Sequence, residues 1–361
     1  MLKLLKYVVG IDMASSDFEA CMVKMDISCE IHKIAGKSFS NTLSGFKLFF
    51  AWVQKNHLQK EINLSFVVEA TGVYHEQFAW FLFQKKQNLS VVLPSKTKFY
   101  LKSKGQRSKT DKLDARGLAA FGAEQKLEYW EPFSKELYRL RALTRHLEAL
   151  QGTKTQISNQ LHALKHGMFQ VKEVIKSLNQ TLKYLEKQIA KMKEEIEQTV
   201  LNDEKLAKKA VLLSSIKGVG LLSVAIIIAE TNAFTLFKSR KQLTGYAGYD
   251  IIENQSGKKV GKSRISKQGN VHIRRAMHFP SLNVVRHNVG GFKSLQERIY
   301  ERTGLKMKGY VAVQRKLLCL FYTLWKNNEE FDPKINQKKV AQSEERTTLD
   351  TQKSEMENCV L

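Results

Sequence analysis

The sequence predicts a mixed α/β domain at the N-terminus, a long helical segment, and a second domain that is mainly helical. Three observations support this order. Short β-branched runs alternate with helical patterns over about the first 130 residues. Leucine and isoleucine then repeat at heptad spacing as far as Ile196. Beyond about residue 205 the apolar residues again follow a helical period.

The first domain is expected to contain five strands and three helices. The predicted strands cover residues 7–11, 18–23, 31–35, 64–68 and 90–93, and the predicted helices cover about 42–53, 74–85 and 111–124. The first three strands follow one another directly, which favours a meander. The helices that separate the later strands predict a mixed sheet with helices on its faces.

The helical segment carries an apolar seam that alternates steps of three and four residues from Leu140 to Ile196. Such a seam predicts a coiled coil and therefore a homo-oligomer, either a dimer or a tetramer. An amphipathic bundle within one subunit gives the same pattern, and Gly152 and Gly167 are candidate points for one helix to fold back on the next.

These patterns divide the chain into four parts. We expect a catalytic domain at residues 1–130, the helical segment at 131–204, a second domain at 205–332 and a disordered polar tail at 333–361.

The charge of the chain indicates a polyanionic partner. Lysine and arginine number 59 against 35 acidic residues, which gives a formal net charge of +24. No apolar run approaches the roughly 18 residues of a membrane span, and the N-terminus lacks a signal-peptide cleavage site, so we expect a cytoplasmic protein.

Two patterns that can indicate metal or disulfide chemistry are incomplete. The four cysteines contain no C-x-x-C pair, which favours neither a disulfide framework nor a zinc site. His75-Glu76 lacks the second histidine of a zinc-protease motif, and we interpret the pair as surface residues of a helix.

Four carboxylates lie where a metal site is expected. Asp12 and Glu69 each end a predicted buried strand, and ligand sites of open parallel sheets lie at such ends. Asp111 and Asp114 are three residues apart at the start of a helix, so they face the same side. Converging carboxylates repel one another, and two Mg²⁺ ions would offset the repulsion while stabilising the attacking and leaving oxygens of a phosphodiester. Considered one at a time, each of these four acidic residues is equally typical of a turn, a helix cap or a partner of a helix dipole.

Basic residues concentrate in two stretches and one glycine-rich loop. Residues 94–109 contain six basic residues and no acidic one, and residues 238–275 contain ten basic residues and two acidic ones. The loop at 215–220 resembles the hairpin of helix–hairpin–helix DNA binders. The side chains expected to contact nucleic acid are Lys96, Lys98, Lys102, Lys104, Arg107, Lys109, Lys217, Lys258, Lys259, Lys262, Arg264, Lys267, Arg274 and Arg275.

Three serines lie between residues 254 and 270 of the second basic stretch, at positions 256, 263 and 266. A serine hydroxyl becomes a nucleophile only beside a base or a metal, and no histidine–aspartate partner is evident nearby. The carboxylate site is a candidate activator. Chemistry alone does not choose among the three serines, each of which can instead hydrogen-bond a phosphate.

Taken together, the motifs resemble those of the insertion-sequence 110 family transposases and the related Piv DNA invertases. The segments that carry the resemblance are Gly10-Ile11-Asp12, Val68-Glu69-Ala70-Thr71-Gly72-Val73-Tyr74, Lys109-Thr110-Asp111-Lys112-Leu113-Asp114-Ala115-Arg116, Ile216-Lys217-Gly218-Val219-Gly220 and the serine-containing block. The resemblance extends to about residue 330.

The resemblance implies a fold and a mechanism. It implies an RNase H-like, RuvC-type N-terminal domain that uses Mg²⁺ on Asp12, Glu69, Asp111 and Asp114. It also implies a C-terminal transposase domain whose catalytic serine lies in a Ser-Gly pair, here Ser256-Gly257. The expected substrates are donor and target DNA, and the expected guide is a structured bridge RNA.

Three alternatives stay open at this point. A RuvC-like nuclease would hydrolyse branched DNA with metal-activated water and need no serine. A Piv-type invertase would recombine DNA without a guide RNA. A nucleic-acid-binding coiled-coil protein would bind without strand transfer and without Mg²⁺.

Overall fold

The computed structural model describes residues 3–70, 72–253, 255–257, 259–261 and 263–333. The predicted tail at 333–361 therefore lies almost wholly outside the described residues. The chain divides into two compact units, Met1–Pro132 and Phe133–Leu361.

The first unit contains a five-stranded sheet with four helices. Its elements are β1 (Leu4–Met13), β2 (Asp17–Asp26), β3 (Ile31–Ser40), α1 (Leu43–Asn56), β4 (Leu64–Glu69), α2 (Glu76–Gln84), β5 (Asn88–Val92), α3 (Pro94–Ser103) and α4 (Asp111–Glu124). The strand order is β3-β2-β1-β4-β5. β1, β2 and β3 pair antiparallel, whereas β1, β4 and β5 run parallel. The predicted mixed sheet is present, and α3 is a helix that the sequence patterns did not predict.

Alternate side chains of the central strands point to opposite faces of the sheet, and each face packs against different helices. On one face, Ile11 and Phe66 pack with phenylalanines of α1 and α2. On the other face, Val8 and Val67 pack with residues of α4 such as Ala119. Because side chains alternate along a strand, Gly10 and Asp12 lie on the same face as Val8, which is the face that α4 covers.

Helix α4 lies unusually close to β1 at Gly10. A Cβ atom built on Gly10 would lie 2.2 Å from the carbonyl oxygen of Ala115 and 2.2 Å from the amide nitrogen of Ala119. The missing side chain is therefore what allows the helix backbone to contact the strand. This close contact fixes the first turn of α4 beside the end of β1.

His75 differs from its predicted surface position. It is only 8% exposed, and it lies in the turn before α2, which begins at Glu76. Burial lowers the pKa of its imidazole.

The second unit is mainly helical. Its helices are α5 (Lys135–Lys165), α6 (Lys172–Leu201), α7 (Glu204–Ser214), α8 (Leu221–Glu230), α9 (Arg240–Tyr246), α10 (Val271–Ala276), α11 (His278–Arg286), α12 (Phe292–Thr303) and α13 (Lys306–Asn327). Buried residues of every helix in the described part of this unit form one hydrophobic core, so the helical segment is continuous with the C-terminal helices.

Helices α5 and α6 pack antiparallel within one chain. Arg139 near the start of α5 pairs with Glu195 near the end of α6, at 3.0 Å, and Lys154 further along α5 pairs with Glu186, at 2.9 Å. The heptad seam is thus used inside the subunit, which is the alternative that the sequence left open. The predicted fold-back at Gly152 is wrong, because α5 continues through that position, where an added Cβ would meet no atom within 4 Å.

A short β-structure interrupts the helices between α9 and α10. It consists of β6 (Ile251–Ile252), β7 (Gln255–Ser256), β8 (Lys259–Val260) and β9 (Arg264–Ile265). β6 pairs antiparallel with β9, and β7 pairs antiparallel with β8. The serine-containing block is therefore presented as nested two-stranded ladders.

Over the described residues, no helix is long and apolar enough to pass through a lipid bilayer. Cys21, Cys29 and Cys319 are free thiols, and Cys359 lies outside the described residues.

Candidate active site

Two parallel strands bring Asp12 and Glu69 side by side. The register of β1 and β4 pairs Gly10 with Val67 and Ile11 with Val68, so Asp12 and Glu69 occupy the next position on the same face of the sheet. Both residues are half-buried.

The first turn of α4 carries the other two carboxylates. Thr110 caps the helix, and its hydroxyl accepts a hydrogen bond from the amide of Leu113 at 3.3 Å. Asp111 and Asp114 follow in that turn, where the positive end of the helix dipole favours carboxylates. The contact of α4 with Gly10 places this turn near Asp12.

The electrostatics of Asp12 report on all four carboxylates. Its pKa is raised to about 6, first by burial and then by the charges of Asp114, Asp111 and Glu69. Lys109 acts in the opposite direction. The other three carboxylates therefore lie within electrostatic reach of Asp12, although among the described residues no three of the four bring their oxygens within 4.8 Å of each other.

Neutral side chains orient two of the four carboxylates. The hydroxyl of Thr97, buried in α3, donates to Glu69 Oε2 at 2.5 Å. Gln106 Nε2 donates to Asp114 Oδ1 at 3.2 Å. Sequence reasoning missed both residues, because an uncharged threonine and glutamine inside a basic run carry no signal of their own.

The sheet register also reveals a fifth carboxylate. Glu19 of β2 lies directly opposite Asp12 in the antiparallel ladder, and residues paired in this way project from the same face. Glu19 could have been predicted from the sequence by treating the first two strands as a hairpin and working out which residue pairs with Asp12.

A separate acidic cluster in the β2–β3 turn has a structural explanation. Asp26, Glu30 and His32 bring ligand atoms within 4.8 Å of one another. Asp26 Oδ1 accepts hydrogen bonds from the amides of Ser28 and Glu30, and the hydrogen bond from His32 lowers the pKa of Asp26. These bonds close the turn.

The six basic residues of the first unit that the sequence predicts to contact nucleic acid lie on α3 and in the loop that leads to α4. Those with exposed side chains are Lys96, Lys98, Lys102, Lys104, Arg107 and Lys109. Lys104 forms an ion pair with Glu124 at 2.8 Å.

The three candidate serines differ in their surroundings. Ser256 is exposed on β7, next to Gly257, whose φ of +54° forms the turn. Ser263 is also exposed. The hydroxyl of Ser266 already has hydrogen-bond partners: it donates to Asp250 Oδ1 at 2.5 Å and accepts a hydrogen bond from the amide of Gln268.

The predicted contact residues of the second unit are in several environments. Lys217, Arg264 and Lys267 are exposed. Arg274 Nη1 donates to the carbonyl of Ala247 at 2.8 Å, and Arg275 forms an ion pair with Glu148. Both arginines therefore have roles within the fold. Lys258 and Lys262 lie outside the described residues, as does the side chain of Lys259.

The glycine-rich loop packs on its own unit. Gly218 has a φ of +97°, and a Cβ built there would lie 2.7 Å from Cβ of Asn283 in α11. Asn283 Nδ2 also donates to the carbonyl of Gly218 at 3.2 Å. The close packing and this hydrogen bond explain why position 218 is a glycine. A Cβ built on Gly220, by contrast, would meet no atom within 4 Å.

The raised pKa of Asp12 predicts a pH dependence of metal binding. Below about pH 6 the carboxyl is protonated, and an incoming cation must displace the proton. Affinity for Mn²⁺ is therefore expected to fall about tenfold per pH unit below that value and to level off above it. Titrations between pH 5 and 8 measure this, and a flat profile would contradict it.

Two family models match the chain. A DEDD transposase model of the IS110 type, described as "Transposase", matches residues 9–170. A second model, described as "Transposase IS116/IS110/IS902 family", matches residues 210–297. The two matches together cover most of the chain.

Curated relatives span nearly the same length. A pilin gene-inverting protein of Moraxella bovis is 28% identical over 335 residues, covering 92% of this chain and 99% of the relative. The transposase for insertion sequence element IS1111A of Coxiella burnetii is 22% identical over 271 residues, covering 67% of this chain and 72% of the relative. Among solved structures, Thermus thermophilus RuvC with a Holliday junction substrate is 11% identical, covers 34% of this chain and 99% of that chain, and has a TM-score of 0.27.

Proposed function

The chain belongs to the IS110 family of transposases, whose members are DNA recombinases, and we propose that it cuts and rejoins DNA with a four-carboxylate metal site and a serine nucleophile. The observation that carries this proposal is the raised pKa of Asp12, to which Asp114, Asp111 and Glu69 all contribute. Carboxylates that repel one another at the end of parallel strands suit a cation-binding site.

We assign the first unit as an RNase H-like domain that holds Mg²⁺. Its donor set consists of carboxylate oxygens, which are the ligands that Mg²⁺ prefers. Bound metal would neutralise the four charges and polarise a phosphodiester. Thr97 and Gln106 hold Glu69 and Asp114 by hydrogen bonds to one oxygen of each, which leaves the second oxygen of each carboxylate for the metal.

Ser256 is our proposed nucleophile. Its exposed position on β7 next to the turn at Gly257 gives a phosphodiester access to its hydroxyl. Attack of Oγ on phosphorus forms a phosphoserine ester, breaks one phosphorus–oxygen bond and frees a sugar hydroxyl, while the serine proton passes to a base. The reverse attack by a different sugar hydroxyl reseals the strand and regenerates the serine, so bond energy is conserved without a nucleotide cofactor.

The proposed partners are donor and target DNA, a structured bridge RNA, and further copies of the chain in a dimer or a tetramer. The net charge of +24 suits contacts to many phosphates. Delegating sequence choice to base pairing has a physical parallel in RNA-guided nucleases.

One observation favours a second candidate function, DNA inversion without a guide RNA. The relative that matches 92% of this chain is a pilin gene-inverting protein. Strand exchange by protein treated with ribonuclease distinguishes the two, because guided recombination would be lost and unguided inversion would be kept.

Replacing Ser256 by alanine tests the nucleophile. We expect Ser256→Ala to abolish covalent protein–DNA adducts, detected by denaturing gel electrophoresis, while DNA binding changes less than about twofold. Ser263→Ala is the matched control, because Ser263 is also exposed in the same block. Adducts that persist in Ser256→Ala and vanish in Ser263→Ala would assign the nucleophile to Ser263.

A further inference from the structure

The second unit contains a cavity of about 760 Å³ between the β6–β9 ladder and helices α12 and α13. Aliphatic side chains make up a large part of its lining, and we call this group the aliphatic floor; it consists of Ile251 and Ile265 from the ladder, Leu295 and Ile299 from α12, and Val311 from α13. The volume lies within the range of roughly 300–1,000 Å³ that is usual for small-ligand sites.

The lining of this cavity is strongly cationic. Its charged members are Arg240, Arg264, Arg302, Lys308, Arg315 and Lys316, and no carboxylate lines it. Within the described part of the chain, none of these six side chains forms an ion pair. Burial and the nearby charge of Arg298 lower the pKa of Lys316. The positive charge is thus uncompensated, and a bound anion would relieve it.

We infer that this cavity binds one unpaired nucleotide of a nucleic acid strand, with its base against the aliphatic floor and its flanking phosphates on the surrounding cations. A lining of aliphatic residues and six cations suits a ligand that combines an apolar group with negative charges, as a nucleotide within a strand does. A base that is stacked and paired in a duplex cannot enter, so the nucleotide is single-stranded or flipped out.

The position of the cavity relates it to the proposed chemistry. Ser263, Arg264 and Ile265 line it and belong to the same block as Ser256. Ile251 of β6 also lines it and lies five residues before Ser256, which allows at most about 18 Å of extended chain. The cavity therefore holds a nucleotide within a few positions of the phosphate that Ser256 attacks. The claim that the bound nucleotide belongs to the strand that Ser256 attacks rests on the proposed function. The claim that the cavity binds an unpaired nucleotide does not.

The test compares two short oligomers in metal-free buffer by fluorescence anisotropy. One is a labelled deoxythymidine pentamer, and the other has the same phosphates and an abasic central position, so that non-specific attraction to phosphate is equal. We expect the wild-type protein to prefer the complete pentamer about tenfold. Ile299→Asp, which places a carboxylate in the floor, should remove the preference.

Control variants keep the test independent of folding and of catalysis. Val211→Asp is the matched control, because Val211 is 60% exposed on α7 of the same unit, and it should retain the preference. Met307→Asp is a second cavity variant; Met307 is 54% exposed, so its substitution does not threaten the core. Ser256→Ala should retain the preference, which separates this inference from the test of the nucleophile.

Three results would overturn the inference. They are equal affinity of the wild-type protein for the complete and abasic oligomers in both the deoxythymidine pair and the uridine ribopentamer pair, a preference that survives in both cavity variants, and displacement of the pentamer by millimolar inorganic phosphate as readily as by free pentamer. A uridine ribopentamer distinguishes the sources. A preference for it over its abasic analogue assigns the site to RNA, and the same preference with deoxythymidine assigns it to DNA.

Discussion

Replacing Asp12 by asparagine is expected to reduce DNA strand cleavage by a factor on the order of 10³ or more, because the substitution removes several kcal/mol of metal-dependent stabilisation. The same substitution should stabilise the metal-free protein. The pKa of Asp12 is raised to about 6 in the folded state, so the folded state binds the proton more tightly than the unfolded chain does. Stability is then lost as pH rises from about 4 to about 6.

The gain on neutralising Asp12 is roughly 1 kcal/mol at pH 8, after allowance for partial exposure of the side chain. Thermal unfolding in buffer with a chelator measures it. Asp17→Asn is the control, because Asp17 is exposed at the start of β2, and it should change neither cleavage nor stability appreciably. A lower melting temperature in metal-free Asp12→Asn would show that Asp12 is a structural ion-pair partner.

Replacing Gly10 by alanine is expected to cost about 3 kcal/mol or more of unfolding free energy. The new methyl group would lie 2.2 Å from backbone atoms of Ala115 and Ala119, and backbone atoms cannot turn aside as a flexible side chain can. The first turn of α4 must then move away from β1, carrying Asp111 and Asp114 with it. We therefore expect cleavage to fall with stability, as measured by urea unfolding and a cleavage assay.

Gly36→Ala provides the matched control in the same sheet. A Cβ at Gly36 of β3 would lie 3.5 Å from the carbonyl of Ala20, which is an ordinary contact. Alanine also restricts the unfolded chain more than glycine does, so the change should be neutral or slightly stabilising. Similar stability of the two variants would mean that α4 does not depend on the close contact at Gly10.

Much of the first unit could be predicted because its signals are local. Strands that end in an acidic residue and a helix that begins with two aspartates placed Asp12, Glu69 and the first turn of α4 from residue patterns alone. Helix α3 was not predicted, because the residues after the predicted strand at 90–93 were considered only as a basic stretch. Proline is favoured in the first turn of a helix, and α3 begins at Pro94.

Other features depend on contacts that no local pattern encodes. The hydrogen bonds from Thr97 to Glu69 and from Gln106 to Asp114 join residues from separate elements. The heptad seam could not show which helix it packs against, because a 3–4 spacing is identical whether the partner helix belongs to the same chain or to another. The two-residue strands around Ser256 are too short to show an alternating pattern.

Binding of Mn²⁺, measured by electron paramagnetic resonance on the metal-free protein, tests most directly whether the four carboxylates form the metal site. The account predicts that Asp12→Asn and Asp114→Asn each weaken Mn²⁺ binding at least tenfold, whereas Asp26→Asn, in the acidic cluster of the β2–β3 turn, leaves it unchanged. Loss of Mn²⁺ binding in Asp26→Asn with full binding in Asp12→Asn would contradict it.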